Sequence, residues 1–154
     1  MQDDFQYVGF WARVGATVID VIIILCITVP LTLMIYGFAY YDSTAIVAGP
    51  ADILINWIMP AVAVILLWLK FQATPGKMVV GARVVDARTG ATMTPGQAVV
   101  RYLAYIVSAL PLLLGYIWIS FDSRKQGWHD KIAGTIVIRP KVQGVEAVKF
   151  GADA

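Results

Sequence analysis

The sequence predicts an all-α membrane protein: two transmembrane helices, a third apolar region that is either a helical hairpin or a third span, and a small two-stranded cytoplasmic ribbon. Three observations predict it. Of 154 residues, 59% are hydrophobic and only 14% charged, whereas a soluble domain carries roughly 25% Asp, Glu, Lys and Arg. Mean hydropathy is +0.73. Apolar runs approach or exceed the roughly 20 residues that cross a bilayer.

The first span begins at Phe10 or Val14 and runs to Phe38, with Thr17, Asp20, Thr28, Pro30 and Thr32 as its main interruptions. A signal peptide would start basic and hold a shorter apolar core; here Asp3 and Asp4 lead, so the run is read as a retained anchor. From Tyr40 to Asp52 the chain has turn chemistry, including Gly49-Pro50, and no Lys or Arg. A second helix is expected from Ile53 to Leu69, with Pro60 as a kink and Trp57 and Trp68 as interfacial anchors.

Lys70 to Pro95 is polar and basic. Thr74-Pro75 reads as a helix cap followed by a first-turn proline, and Met78 to Asp86 has β-branched strand character. Its ribbon partner is the segment Gly134 to Arg139. Between them lies the third apolar region, Ala98 to Phe121. Lys70, Lys77, Arg83 and Arg88 before it, and Arg124, Lys125 and Lys131 after it, all call for the cytoplasm under the positive-inside rule. A hairpin broken at Leu110-Pro111 satisfies both sets and puts both strands on one side. The alternative is a plain third span with the C-terminus outside. One compact unit is expected over residues 6–139, followed by a loose tail over 140–154.

Composition excludes several functions. Twelve basic and ten acidic residues leave a net charge of +2, too small and scattered for a nucleic-acid surface. The single cysteine, Cys26, forms neither a disulfide nor a Cys-based zinc site. Ala73-Thr-Pro-Gly-Lys77 lacks the leading glycine and trailing hydroxyl of a phosphate loop. No motif for a metal, a cofactor or a nucleophile occurs in a useful context, so no enzyme is expected.

The charged residues inside the apolar runs are the candidate site, because such a residue costs about 2.5–3.5 kcal/mol even on the lenient insertion scale. Arg13, Thr17, Asp20 and Thr28 share one stripe of the first helix, which must face protein or water. Gln97, Arg101, Tyr105 and Ser108 share a face of the third region. Asp20 and Arg101 are therefore the favoured inter-helix pair. A buried pair of this kind is either packing glue or part of an ion or solute pathway. Near Trp128, the charged stretch Asp122 to Lys131 suits the headgroup boundary, as a self-paired loop or as a site for a proton, an anion or a lipid phosphate. His129 and Asp130 make a dyad for which spacing supplies no nucleophile.

Arg13, Asp20, Thr74-Pro-Gly-Lys77, Gln97 with Arg101, and Phe121-Asp-Ser-Arg-Lys-Gln-Gly-Trp-His-Asp-Lys-Ile-Ala-Gly-Thr135, taken in that order, resemble the RDD family of membrane proteins over residues 6–139. The combination is specific, while each motif alone is weak. The family is named for one arginine and two aspartates. Arg13 and Asp20 match the first two, and the third is placed at Asp130, with Asp122 as the alternative. The resemblance implies a multi-pass protein of a prokaryotic inner membrane and a role in transport, with sodium–proton antiport as its most specific form.

Two readings follow. In a transporter, Asp20 takes up and releases a proton or a monovalent cation such as sodium, and Arg13, Arg101, Asp122 and Asp130 complete the charge network. Thr17, Thr28 and Gln97 supply secondary polar lining. So few helices can hardly enclose an aqueous path, so this reading requires a homo-oligomer; Ala12 and Ala16 are a small-xxx-small surface for it. In the alternative, a non-transporting scaffold or accessory subunit, the buried charges fix the fold and the basic face binds lipid or a protein partner.

Overall fold

The structure, a computed structural model, describes residues 4–111 and 113–141. Helix α1 (Phe10–Tyr36) starts after Gly9 and stops at Gly37, whose φ of +68° breaks the helix. Its 27 residues extend for about 40 Å at ~1.5 Å per residue. Along it Val18, Ile22, Leu25 and Met34 are exposed, the pattern of a helix whose solvent is lipid. The second run comprises α2 (Pro50–Asp52), a π-helical stretch (Ile53–Ile58) and α3 (Met59–Phe71). Pro60 follows directly on the π-helical stretch inside one continuous helical run, so its missing N–H falls where the helical ladder is already irregular. These two runs are long and apolar enough to cross a membrane.

Past α3, Gln72 adopts a left-handed turn and the short helix α4 (Pro75–Val79) leads into strand β2 (Arg83–Asp86). Helix α5 (Pro95–Ala109) opens on Thr94, whose hydroxyl accepts from the Gln97 N–H while the Gln97 side chain accepts from the Thr94 N–H. Beyond α5, Leu113 takes φ +62°, and α6 (Leu114–Ile117) with a 3₁₀ turn (Trp118–Ser120) stands at 110° to α5. Helix α7 (Trp128–Ala133) ends at Gly134 and runs into β3 (Thr135–Pro140).

The ribbon has three strands rather than the expected two. β1 (Phe5–Tyr7) pairs antiparallel with β3, Tyr7 opposite Ile138, and β2 pairs with the other edge, Asp86 opposite Thr135. This sheet gathers the segment before α1, the segment after α4 and the segment after α7. β2 and β3 flank the third apolar region and pair in this sheet, so the two ends of that region lie together. The expected tail also starts later: Pro140 belongs to β3 and the Lys141 N–H donates to the Asp4 carbonyl at 2.8 Å. The remainder, 142–154, lies outside the described residues.

Val8, Trp68, Ala82, Val84, Met93, Ala98 and Val137 form the main core, where α3 and α5 meet the sheet. Trp68 is wholly buried there, so it is a core residue and not the interfacial anchor expected from its place near a helix end; Trp57 is exposed. Ala16 is buried and Ala12 packs on the core, so this small-residue surface is spent within the chain instead of being open to a second copy.

Candidate functional site

Asp130 is the centre of the ionic network. As the third residue of α7 it accepts the Gly127 N–H at 2.9 Å on Oδ2. The same oxygen accepts Nη1 of Arg13 at 2.5 Å, and Oδ1 accepts Nη1 of Arg101. Arg101 also donates to the Thr135 hydroxyl, while Arg13 donates through Nε to the Val8 carbonyl at 3.0 Å and through Nη2 to the Lys125 carbonyl at 2.5 Å. One carboxylate thereby ties α1, α5 and α7 together, and Arg101 carries the link on to β3. Burial alone would push its pKa up, but the charges of Arg101 and Arg13 outweigh it and hold the group well below the usual carboxylate range.

The expected Asp20–Arg101 pair does not form. Arg101 is turned to Asp130, and half-buried Asp20 is held by neutral donors: the Thr74 hydroxyl at 2.5 Å on Oδ2 and the Gly76 N–H at 2.7 Å on Oδ1. Thr74 stands before Pro75 as a cap residue should, yet its side chain makes no cap bond and serves Asp20 instead. Gly76 is required by this contact, because a Cβ there would lie 1.9 Å from the Ala16 carbonyl oxygen. Buried Lys77 completes the group with Nζ 3.4 Å from the Thr74 hydroxyl.

The other candidates divide. Thr28 lies on the buried face of α1, whereas Thr17 is exposed. α4 meets α1 at Ala16 and Asp20 through Gly76, and Thr17, at a different angle round the helix from both, stays uncovered. Gln97 braces Asp86, donating to it at 2.6 Å, and is not part of a lining with Asp20. The Gln97 bond and the N–H groups of Thr89 and Arg88 keep Asp86 ionised far into acid. Asp122 is paired with exposed Lys131 and accepts the Arg124 and Gln126 N–H groups; Asp130, not Asp122, meets Arg13.

Two features escaped the sequence. Ser108 is wholly buried with its hydroxyl 3.2 Å from Nδ1 of His129, whose Nε2 lies 3.7 Å from Asp130. Burial drives the His129 imidazole down to about 3, so it is neutral at ordinary pH. Asp52, buried near the far end of α1, accepts the Tyr40 hydroxyl at 2.8 Å, Nδ2 of Asn56 at 2.7 Å and the Ala48 N–H at 2.9 Å. Asn56 also reaches Thr32 at 3.1 Å. An acidic residue after a Gly-Pro turn gives no sign of this, since its partners come from outside the turn.

Apolar helices exposed along their length, closed on one side by a small sheet and a buried arginine–aspartate joint, define a membrane protein. The model of the RDD family matches residues 7–134, and the chain belongs to that family. It is 31% identical over 149 residues to the uncharacterized protein YxaI of Bacillus subtilis, covering 84% of this chain and 95% of that one. It is 27% identical over 149 residues to the uncharacterized membrane protein YteJ of the same organism, covering 88% and 83%. No solved structure matches.

Proposed function

We propose that the protein is a multi-pass transporter of a small ion or solute in a prokaryotic inner membrane, with Asp20 as the carboxylate that takes up and releases a proton or a monovalent cation. Sodium–proton exchange is its specific form. The observation that carries the reading is the environment of Asp20: a carboxylate inside a membrane helix, bonded to one hydroxyl and one backbone N–H. Among the described residues it has no salt-bridge partner, while Asp130 has two arginines. A carboxylate held by neutral donors can gain a proton or an alkali cation without breaking an ion pair, and the Thr74 hydroxyl can turn from donor to ligand. Exposed Lys70, Arg83, Arg88 and Arg124 on the sheet side support a cytoplasmic sheet. A path through so few helices requires more than one copy.

The Asp130 joint favours a second reading, in which the charges only fix a fold that binds lipid or a protein partner. Flux separates the two. Purified protein is placed in liposomes with an internal pH dye and given stepwise sodium, lithium or potassium, alongside a folded Asp20→Asn variant. Cation-dependent proton movement in the wild type, lost in the variant, is the expected result. No proton movement from monodisperse wild type under any cation gradient overturns the proposal in favour of the scaffold.

A further inference from the structure

We infer that α5 and α6 form a platform in the boundary layer of one leaflet, on the sheet side, with phospholipid acyl chains against their outer face. They neither cross the membrane nor dip through it. Helix α5 is divided lengthwise: Ala98, Arg101, Ala104 and Ser108 are buried, whereas Val99, Val100, Leu103, Ile106, Val107 and Leu110 are exposed. At ~100° per residue the two sets occupy opposite arcs of the helix. That is the division of a helix lying along a membrane surface. The apolar face runs on into Leu114, Ile117 and Trp118, each of them exposed.

What covers the buried arc fixes its level. Arg101 reaches Asp130, which also holds Arg13 in the first turn of α1. The Trp68 ring, in the last turn of α3, lies 5.8 Å from that of Tyr105. Helix α5 is thus pinned to the ends of the two spans. From there α7 follows the polar arc to both ends of α5: Nε2 of Gln97 lies 3.4 Å from the Gly134 carbonyl, and the Ser108 hydroxyl accepts the His129 N–H at 3.1 Å. Standing upright, α5 would carry Ser108 about 10 Å deeper than Arg101 and draw α7 and the loop before it inwards. That loop is irregular backbone with Ser123 and Arg124 exposed, and its Asp122 pairs with exposed Lys131. Lipid-facing hydrocarbon does not admit such groups. Laid flat, α5 keeps them among the headgroups, where the cations Arg124 and Lys131 meet anionic lipid. Nζ of Lys131 stands 5.7 Å from the centre of the Trp118 ring, a cation beside an indole at the edge of the apolar face.

The inference does not rest on transport, so its test uses no flux. Nitroxide labels are attached one at a time to Val99→Cys, Leu103→Cys, Ile106→Cys, Leu110→Cys and Ser123→Cys in the full chain carrying Cys26→Ser. All five sites are exposed, so the labels displace no packing. In phosphatidylethanolamine–phosphatidylglycerol vesicles, collisions with oxygen and with a water-soluble nickel chelate give the depth of each label. The four on α5 are expected at one shared depth, about 5–10 Å into the boundary layer, and the label at Ser123 fully open to nickel. Depth that changes steadily along the helix, by about 16 Å from Val99 to Leu110 at ~1.5 Å per residue, overturns the inference in favour of a span or a hairpin limb. Labels on α5 shielded from both reagents also overturn it, because a second copy or a protein partner then covers the arc. Labels on α5 all open to nickel overturn it by placing the arc in water.

Discussion

Asp130 and Asp52 lie at opposite ends of α1, and both are buried, yet the chain satisfies them by opposite means. Asp130 is met by two arginines reaching in from other elements, Arg13 from α1 and Arg101 from α5. Asp52 is met by a phenol, an amide and a backbone N–H, all within twelve residues along the chain of it. The first arrangement is a long-range joint whose parts carry opposite charges, so losing one member leaves the others charged and unpaired. The second is a local clamp of neutral groups that holds the loop between α1 and α2. Ionic pairing thus gathers on the sheet side, where the fold is specified, and neutral hydrogen bonding closes the far end.

The comparison breaks first at Asp130. Asp130→Asn keeps the shape but leaves Arg13 and Arg101 charged and unmatched, and breaking a buried pair in this way costs about 3–5 kcal/mol. Since folded domains are stable by only about 5–15 kcal/mol, little monodisperse protein is expected on size exclusion after extraction. Asp52→Asn removes no cation's partner and is expected to lose less, with the damage confined to faster proteolysis between Gly37 and Gly49. Equal losses from the two variants would erase the distinction drawn here.

How far the sequence reveals this follows from the same contrast. The helices are legible because lipid demands long apolar runs, and the meeting of the two ends of the third run is legible because basic residues flank it on both sides and each end carries a strand. Arg13 and Arg101 of the hub are legible too, since each is costly in an apolar run. Their pairing is not. Arg101 and Asp20 each advertise a need for a partner, but Asp130 is three residues into a short helix, and only the folded sheet carries it under both arginines. Thr74 reads as a cap by position, and its service to Asp20 depends on Gly76 allowing α4 to touch α1. Trp68 looks like an anchor because its place beneath α5 and the sheet is a tertiary fact.

A smaller effect is expected from pH. His129 binds its proton near 3 in the fold and near 6.5 when unfolded, so between those values the unfolded chain holds the extra proton. Stability contributed by the neutral ring is complete above pH 6.5 and declines as pH falls towards 3. The slope is at most about 1.4 kcal/mol per pH unit for one proton. Denaturant unfolding between pH 7 and pH 5 measures it, because Asp130 stays ionised throughout that window. His129→Gln, which keeps a hydrogen-bonding side chain, is expected to flatten the profile; an unchanged slope would assign the dependence to other groups.

The smallest effect is expected at Thr17, and it sharpens the contrast between what is covered and what is only aligned. Thr17 stands close in angle to Arg13 and Asp20 on α1, so helical geometry alone makes it part of the charged stripe. In the folded chain it is exposed, because α4 meets the face of α1 that carries Ala16 and Asp20 and leaves the angle of Thr17 open. An exposed hydroxyl has no buried partner to lose, so Thr17→Val is expected to change unfolding stability by less than about 0.5 kcal/mol. If Thr17 instead meets a second copy of the chain, the substitution leaves the isolated protomer alone and weakens association, which cross-linking in membranes across a range of protein densities detects. A loss of stability in dilute detergent would mean that α4 does not leave Thr17 uncovered, and that the stripe is packed within one chain along its whole length.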